Sequence, residues 1–445
     1  MPKLVKSLVV REYERVPVVA CPETDQHALT PTEVDALLRA CASASGRVFE
    51  VGHKHVKFQN WCGVICAGNL TVEILPKIAD AASFDRACLL RMLGVSNNFP
   101  VGSAGCGDLQ TEHGTILLTL IRWFCDELFR QYHAGMPRSY VFQDDLLTSI
   151  RGRWRPDVEA TRFPGRKDRM FCEFDELSVN NRHNQIIKAT LKKIRPLTIG
   201  SRTTERSVEL LLAWLADVSD VVATADDVRR LPQNRLVSRF KSVLQMCEWF
   251  LASQNPGLRS GDRQSTALVF EMNLLFQSFI GRVLRRSLPP ELQLREEGPR
   301  RFLTQANDGQ RKFQMKPDFC ILQNDRVIAI IDTKWKRISP DAQDGKWAIQ
   351  QADVYQLHAY AHAYDCRKVA LWFPGHAALS PSTDNPTLDF LSLSEMSPQR
   401  SLLIDWVHLA GPSTYGGWMR SIVDQVRQKI ATWLPLDGIV EATQL

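Results

Sequence analysis

The sequence predicts an α/β protein in three parts: a β-rich amino-terminal domain (residues 1–110), a mainly helical middle region (111–255) and an α/β carboxy-terminal domain (256–445). Three patterns lead there. Short apolar runs separated by turn residues fill the first part. Apolar residues at helical spacing dominate the second. The third is organised around residues 316–336, where two apolar, β-rich runs are closed at their outer ends by charged side chains and followed by a helix.

In the first part, Lys3 to Val10 and Val48 to Val56 read as strands. Thr30-Pro-Thr-Glu33 opens a helix through Ala40 with a capping-box pattern, Thr30 or Thr32 serving as cap. Trp61 to Ala67 and Leu70 to Leu75 read as strands joined across Gly68-Asn69, a hairpin signal. In the second part, Leu117, Leu118, Ile121, Phe124, Leu128 and Tyr132 form an apolar stripe on a helix over 114–133. Long helices follow over 205–218 and 236–251. Residues 253–262 are rich in turn formers and read as a linker. The third part is expected to begin with a helix over 267–286, and to add strands over 368–373 and 402–408 and a closing helix over 418–433.

With 445 residues and 44% hydrophobic side chains, the chain has ample core for two or three domains. No apolar run reaches membrane-spanning length, and Met-Pro-Lys-Leu-Val-Lys lacks an apolar signal core, so a cytoplasmic protein is expected. Eleven scattered cysteines suit reduced thiols rather than a disulfide framework. A net charge of +6 permits a DNA partner without requiring one.

Residues 319–323 and 327–331 flank Asn324-Asp325-Arg326 and read as a β-hairpin. Val327-Ile-Ala-Ile-Ile331 has no polar alternation, so that strand is expected to be buried on both faces. Asp332 and Lys334 close it, and charges there are costly unless they are paired or bind something. Two carboxylates and a backbone carbonyl suit Mg²⁺, which prefers oxygen ligands and retains waters. With an ammonium nearby, this is equipment for metal-dependent phosphodiester cleavage. Asp332 and Lys334 share a strand face, while Thr333 points away but offers its carbonyl. Asp318 must reach that face from the partner strand. A two-residue turn at Asn324-Asp325 pairs Asp318 with Ile331 and separates the acids. A three-residue loop, or one bulge, pairs Asp318 with Asp332 and brings their Cβ atoms to about 5 Å. The catalytic reading therefore demands an odd connection.

Pro317-Asp318 followed by Asp332-Thr333-Lys334 resembles the PD-(D/E)xK signature of restriction-type nucleases. On the next helix, Gln351 with Tyr355 and Gln356 with Tyr360 each stand at i, i+4. Gln356-Leu-x-x-Tyr360 after Asp-x-Lys resembles the extended motif of RecB-like nucleases. The combination of Asp-Thr-Lys-Trp-Lys with Gln-Ala-Asp-x-Tyr-Gln-x-x-Ala-Tyr-Ala resembles the McrC family, the nuclease subunits of McrBC modification-dependent restriction systems. Val72-Glu-Ile-Leu-Pro-Lys77 with Phe84 and residues 89–93 resembles the amino-terminal region of that family. Arg151-Gly-Arg-Trp-Arg155, residues 171–181 and Asn184 resemble its middle region.

The resemblance implies a restriction-endonuclease-like carboxy-terminal domain that cleaves DNA with Mg²⁺. Asp318, Asp332 and the Thr333 carbonyl would hold the metal and Lys334 would position the attacking water. Gln351, Tyr355, Gln356 and Tyr360 would support the site or touch the DNA backbone. Glu271 stands at the first acid of a pattern whose acid often approaches the metal, while Gln277 occupies the place of the second. The resemblance also implies a McrB-like AAA+ GTPase motor, which recognises 5-methylcytosine-modified DNA and is stimulated by the docked amino-terminal part. Two other readings remain open: a catalytically degenerate adaptor that activates the motor, and a stand-alone RecB-like nuclease.

Other constellations read as structural. Cys62 and Cys66 behind His53 and His55 do not have zinc-ribbon spacing. His358 and His362 share a helical face but lack the Glu of a zincin motif. Residues 102–107 are glycine-rich without the Lys-Ser/Thr of a P-loop, so the chain is not expected to be its own NTPase.

Overall fold

The computed structural model describes residues 6–21, 26–42, 46–78, 81–97, 99, 115–166, 168–232, 237–252, 259–260, 263–339, 346–376, 379, 387–390, 399–412 and 414–435. The glycine-rich run 102–107 and most of the 253–262 linker lie outside the described residues, as do residues 3–5 of the first expected strand and Gly114 of the expected helix.

The amino-terminal sheet has four strands. Lys6–Arg11 runs parallel to Leu70–Leu75, which forms the expected hairpin with Trp61–Ala67 across Gly68. Gly68 sits at φ +63°, a conformation that glycine adopts without steric cost. The helix Pro31–Ala40 is capped by Thr30 in a reciprocal box with Glu33. The expected strand over 48–56 is two strands, Phe49–Val51 and His55–Phe58, folded back on each other around a turn.

The fourth strand of this sheet corrects the expected domain plan. Residues 266–271 are not helical: Thr266–Glu271 pairs antiparallel with Trp61–Ala67, and the helix starts at Met272 and ends at Ser287. Thr266, Val269 and Phe270, β-branched or aromatic, favour a pleated surface. A boundary near 256 therefore separates a strand from its own sheet.

The middle region contains the helices Ile116–His133, Arg182–Ile194, Arg202–Trp214 and Lys241–Ala252. It is less uniformly helical than expected. Ser139–Leu147, Arg153–Trp154 and Met170–Ser178 form a three-stranded antiparallel sheet that carries the Arg/Trp run. The buried Glu73 accepts a 2.6 Å hydrogen bond from the Ile116 N–H, tying the amino-terminal sheet to the first turn of the long helix.

The carboxy-terminal sheet has six strands in the order Gln293–Glu296, Phe319–Gln323, Arg326–Thr333, Lys368–Gly375, Ser401–His408 and Thr387–Asp389. Its three central pairings join the hairpin 319–333 to two parallel strands. Helices Met272–Ser287 and Tyr415–Trp433 cover one face and Gln351–Ala363 the other. Alternate residues accordingly divide between two cores. Phe319, Ile321, Ala329 and Ile331 pack with the first pair of helices, and Cys320, Leu322 and Ile330 pack with Leu357 and Tyr360. The run Val327–Ile331 is thus covered on both faces, as its lack of polar alternation predicts.

Candidate active site

The odd connection is present as a bulge. The hairpin turns through Asn324 (φ +49°) and Asp325 (φ +61°), a two-residue loop with both central residues left-handed. Gln323 pairs with Arg326 and Leu322 with Val327, but Ile321 then pairs with Ala329. Ile328 is the extra residue. The shift carries through Cys320–Ile330 and Phe319–Ile331, and one further step sets Asp318 opposite Asp332. A single bulge converts a register that would separate the acids into one that joins them.

Asp318 Oδ2 accepts hydrogen bonds from the Thr333 N–H at 2.7 Å and the Thr333 hydroxyl at 2.6 Å. Since N–H and C=O of one strand residue point to the same edge, the Thr333 carbonyl lies on the Asp318 side. Burial raises the Asp318 pKa above the ordinary carboxylate value, against the lowering effect of these bonds and of Lys334. Asp332 is only 2% exposed. Burial first, and the charge of Asp318 second, push its pKa up to about 6. Its Oδ2 lies 2.6 Å from Lys334 Nζ, yet that atom receives no well-aligned hydrogen bond. Two mutually repelling, desolvated carboxylates whose charge one ammonium only partly offsets fit a divalent cation.

Lys334 Nζ also meets Gln356 Oε1 at 3.1 Å and Asp353 Oδ1 at 3.9 Å. Burial pulls its pKa down, but Asp332, Asp353 and Asp318 more than compensate, so the ammonium is held above its usual value. Gln356 Nε2 donates to Tyr360 Oη at 2.8 Å, and Tyr360 Oη donates to the Lys316 carbonyl at 2.9 Å, two residues before Asp318.

The Gln/Tyr pairs therefore divide. Gln356 and Tyr360 build the site, whereas Gln351 and Tyr355 bond to each other on the solvent side, with Tyr355 63% exposed. The two pairs begin five residues apart, about 140° around a helix, so they cannot both face the sheet. Glu271 lies at the end of the strand that joins the amino-terminal sheet. Among the described residues no three acidic, His or Cys side chains converge to hold a metal, so Glu271 does not join the two aspartates. The same holds for Cys62, Cys66, His53 and His55.

Two further residues belong to the site although no motif names them. Buried Asp353 bridges Lys334 and Lys336, meeting Lys336 Nζ at 2.8 Å. A signal for it exists in the sequence: Lys-Trp-Lys places two ammoniums two residues apart just past the strand end, and Asp353 stands three residues before Gln356 on one helix side. Glu12 accepts a 2.8 Å hydrogen bond from Trp335 Nε1, next to Lys334. No local pattern signals a contact between residues 323 positions apart.

The profile of the McrBC 5-methylcytosine restriction system component family matches residues 56–374. The chain belongs to this family. Its fold is similar to that in the refined half-complex from the tetradecameric assembly of Thermococcus gammatolerans McrB AAA+ hexamers with bound McrC. The match has a TM-score of 0.68 and 16% identity, and covers 94% of this chain and 100% of that chain. The cryo-EM structure of the Thermococcus gammatolerans McrBC complex matches at a TM-score of 0.51 and 18% identity, over 65% of this chain and 90% of that chain. At these identities the likeness is one of fold. No curated protein gives a significant match. Among the described residues, no helix of this McrBC family member is long and apolar enough to cross a membrane.

Proposed function

We propose that this chain is the DNA endonuclease subunit of a McrBC-like restriction complex specific for 5-methylcytosine, with a PD-(D/E)xK carboxy-terminal domain. The observation that carries the reading is the bulge at Ile328, which gathers Asp318, Asp332 and Lys334 at one end of the sheet. Asp318, Asp332 and the Thr333 carbonyl are the residues that would hold Mg²⁺, which, when bound, supplies Lewis-acid polarisation of the scissile phosphate and its attacking water. Thr333 orients the Asp318 carboxylate through two hydrogen bonds. Lys334, kept charged by the surrounding acids and held by Gln356, orients water and steadies charge that develops on the phosphate oxygens.

A McrB-like AAA+ GTPase is the proposed partner, activating cleavage and being stimulated in return; the solved neighbour with McrB hexamers bound to McrC supports this. The test mixes the full chain with such a motor, GTP, Mg²⁺ and 5-methylcytosine-containing DNA. Cleavage is expected, and Asp332→Ala is expected to abolish it while motor stimulation persists. Lys334→Ala should remove most turnover yet spare metal and DNA binding. Motor stimulation by a wild-type chain that never cuts would favour the adaptor reading.

A further inference from the structure

Between the first strand of the carboxy-terminal sheet and Pro317-Asp318, the chain leaves the sheet. Glu297 (φ +56°) and Gly298 (φ +60°) turn it outward. Arg301–Gln305 and Arg311–Met315 then form an antiparallel two-stranded ribbon that pairs with no other strand among the described residues. Isolated ribbons of this kind are marginal in water, so this one needs support at its base. Two tyrosines one helical turn apart supply it. Tyr364 Oη donates to the Pro299 carbonyl at 2.7 Å and Tyr360 Oη to the Lys316 carbonyl at 2.9 Å, one bond on each side of the ribbon. Tyr360 is also bonded to Gln356, which holds Lys334. The ribbon is thereby set in a fixed relation to the candidate catalytic lysine.

Its composition is unusual for an exposed hairpin. Residues 299–316 carry Arg300, Arg301, Arg311, Lys312 and Lys316 against a lone acid, Asp308. Arg300, Arg301, Arg311 and Lys312 make no ion pair among the described residues. The strand register places Leu303 across from Phe313, where ladder pairing is interrupted and Phe313 adopts φ +58°. These two apolar side chains are 58% and 72% exposed. A left-handed phenylalanine projecting into water is costly twice over, in backbone conformation and in solvation.

We propose that the 301–315 ribbon is an arm that binds duplex DNA beside the scissile phosphate. Arg300, Arg301, Arg311 and Lys312 meet backbone phosphates, and Phe313 with Leu303 packs against exposed base surface. Unpaired cations around an apolar wedge match a polyanion with stacked aromatic rings, and suit an acidic protein surface less well. The assignment rests on the nuclease reading above.

The test measures binding of the full chain to a short 5-methylcytosine duplex by fluorescence anisotropy, with Ca²⁺ in place of Mg²⁺, across a salt series with and without the motor. Arg311→Ala/Lys312→Ala is expected to weaken binding tenfold or more and to lower the slope of log affinity against log salt by about 2, roughly 0.9 for each phosphate no longer neutralised. Phe313→Ala should weaken binding several-fold with the slope unchanged, because an apolar wedge at a duplex base step releases no counterions. All of these positions are on the surface, so melting temperature and motor stimulation should remain at wild-type values. Wild-type binding with unaltered affinity and slope in both variants would overturn the arm and leave the nuclease reading standing. Lost motor stimulation with normal DNA binding would make the ribbon a protein-docking surface and equally overturn it. A wild-type chain with no DNA affinity in either condition would sink both readings.

Discussion

Asp332 carries a cost that the neighbouring Lys334 offsets only in part. Its ordinary pKa is 3.8, and burial with Asp318 opposite lifts it to about 6 in the fold. Between those values the folded state keeps a proton that the unfolded chain has released. Stability without a divalent ion therefore falls as pH rises through that window and stays low above it. Asp332→Asn removes the charge. At pH 8 in chelator it should unfold a few degrees higher than wild type, reflecting on the order of 2 kcal/mol, and the advantage should vanish near pH 4. The same variant should not cleave DNA. Thermal melts across pH check this, and equal melting of the two proteins at pH 8 would contradict the assigned burial of charge. Such a trade of stability for function is common where a site must hold like charges together.

At the scale of the element, the helix Gln351–Ala363 links Lys334 to the backbone leading into Asp318. Tyr360→Phe keeps the ring and its packing but deletes the hydroxyl that bridges Gln356 and the Lys316 carbonyl. We expect a loss of about 1 kcal/mol in stability and a larger loss in turnover, since Lys334 and Asp318 lose a shared tether. Steady-state kinetics should assign the defect to kcat rather than KM. A pure KM effect would mean that the hydroxyl contacts DNA instead.

Across the whole molecule, the motif strand is braced by the amino-terminal sheet. Trp335 packs on Phe276 and donates to Glu12, whose carboxylate burial pushes up to a pKa of about 7 from 4.5. The sign matches that of Asp332: this ionisation opposes folding, and its cost, roughly 3 kcal/mol, is fully present above pH 7 and gone below about 4.5. Glu12→Gln keeps an acceptor for the indole and should flatten the loss of stability between pH 5 and 8, as read by melts at both ends. A larger consequence concerns truncation. Residues 1–110 read in sequence as a separable domain, but they contribute the sheet partner of Thr266–Glu271 and part of a core shared with Phe276 and Trp335. Deleting them is expected to leave the remainder aggregated, without a cooperative melt. A soluble, Mg²⁺-binding fragment from that deletion would show that the shared core is dispensable.

Much of the chemistry was legible because it is local. Asp332 and Lys334 share a face through strand alternation alone, the buried run Val327–Ile331 announces a covered strand, and the Gln/Tyr spacing places a helix beside them. Sequence also showed that the acids meet only through an odd connection, since one residue reverses every side chain along a strand. The choice between loop and bulge lay with packing. The turn kept two residues, and the extra one was absorbed at Ile328, where two buried faces tolerate a partly buried isoleucine. What only the tertiary structure decided is long-range: which Gln/Tyr pair faces the sheet, that Asp353 holds Lys334 and Lys336, that Glu12 braces Trp335, and that Thr266–Glu271 belongs to the amino-terminal sheet. Those contacts depend on distant residues competing for the same buried surface, and neither periodicity nor propensity along the chain encodes which competitor succeeds.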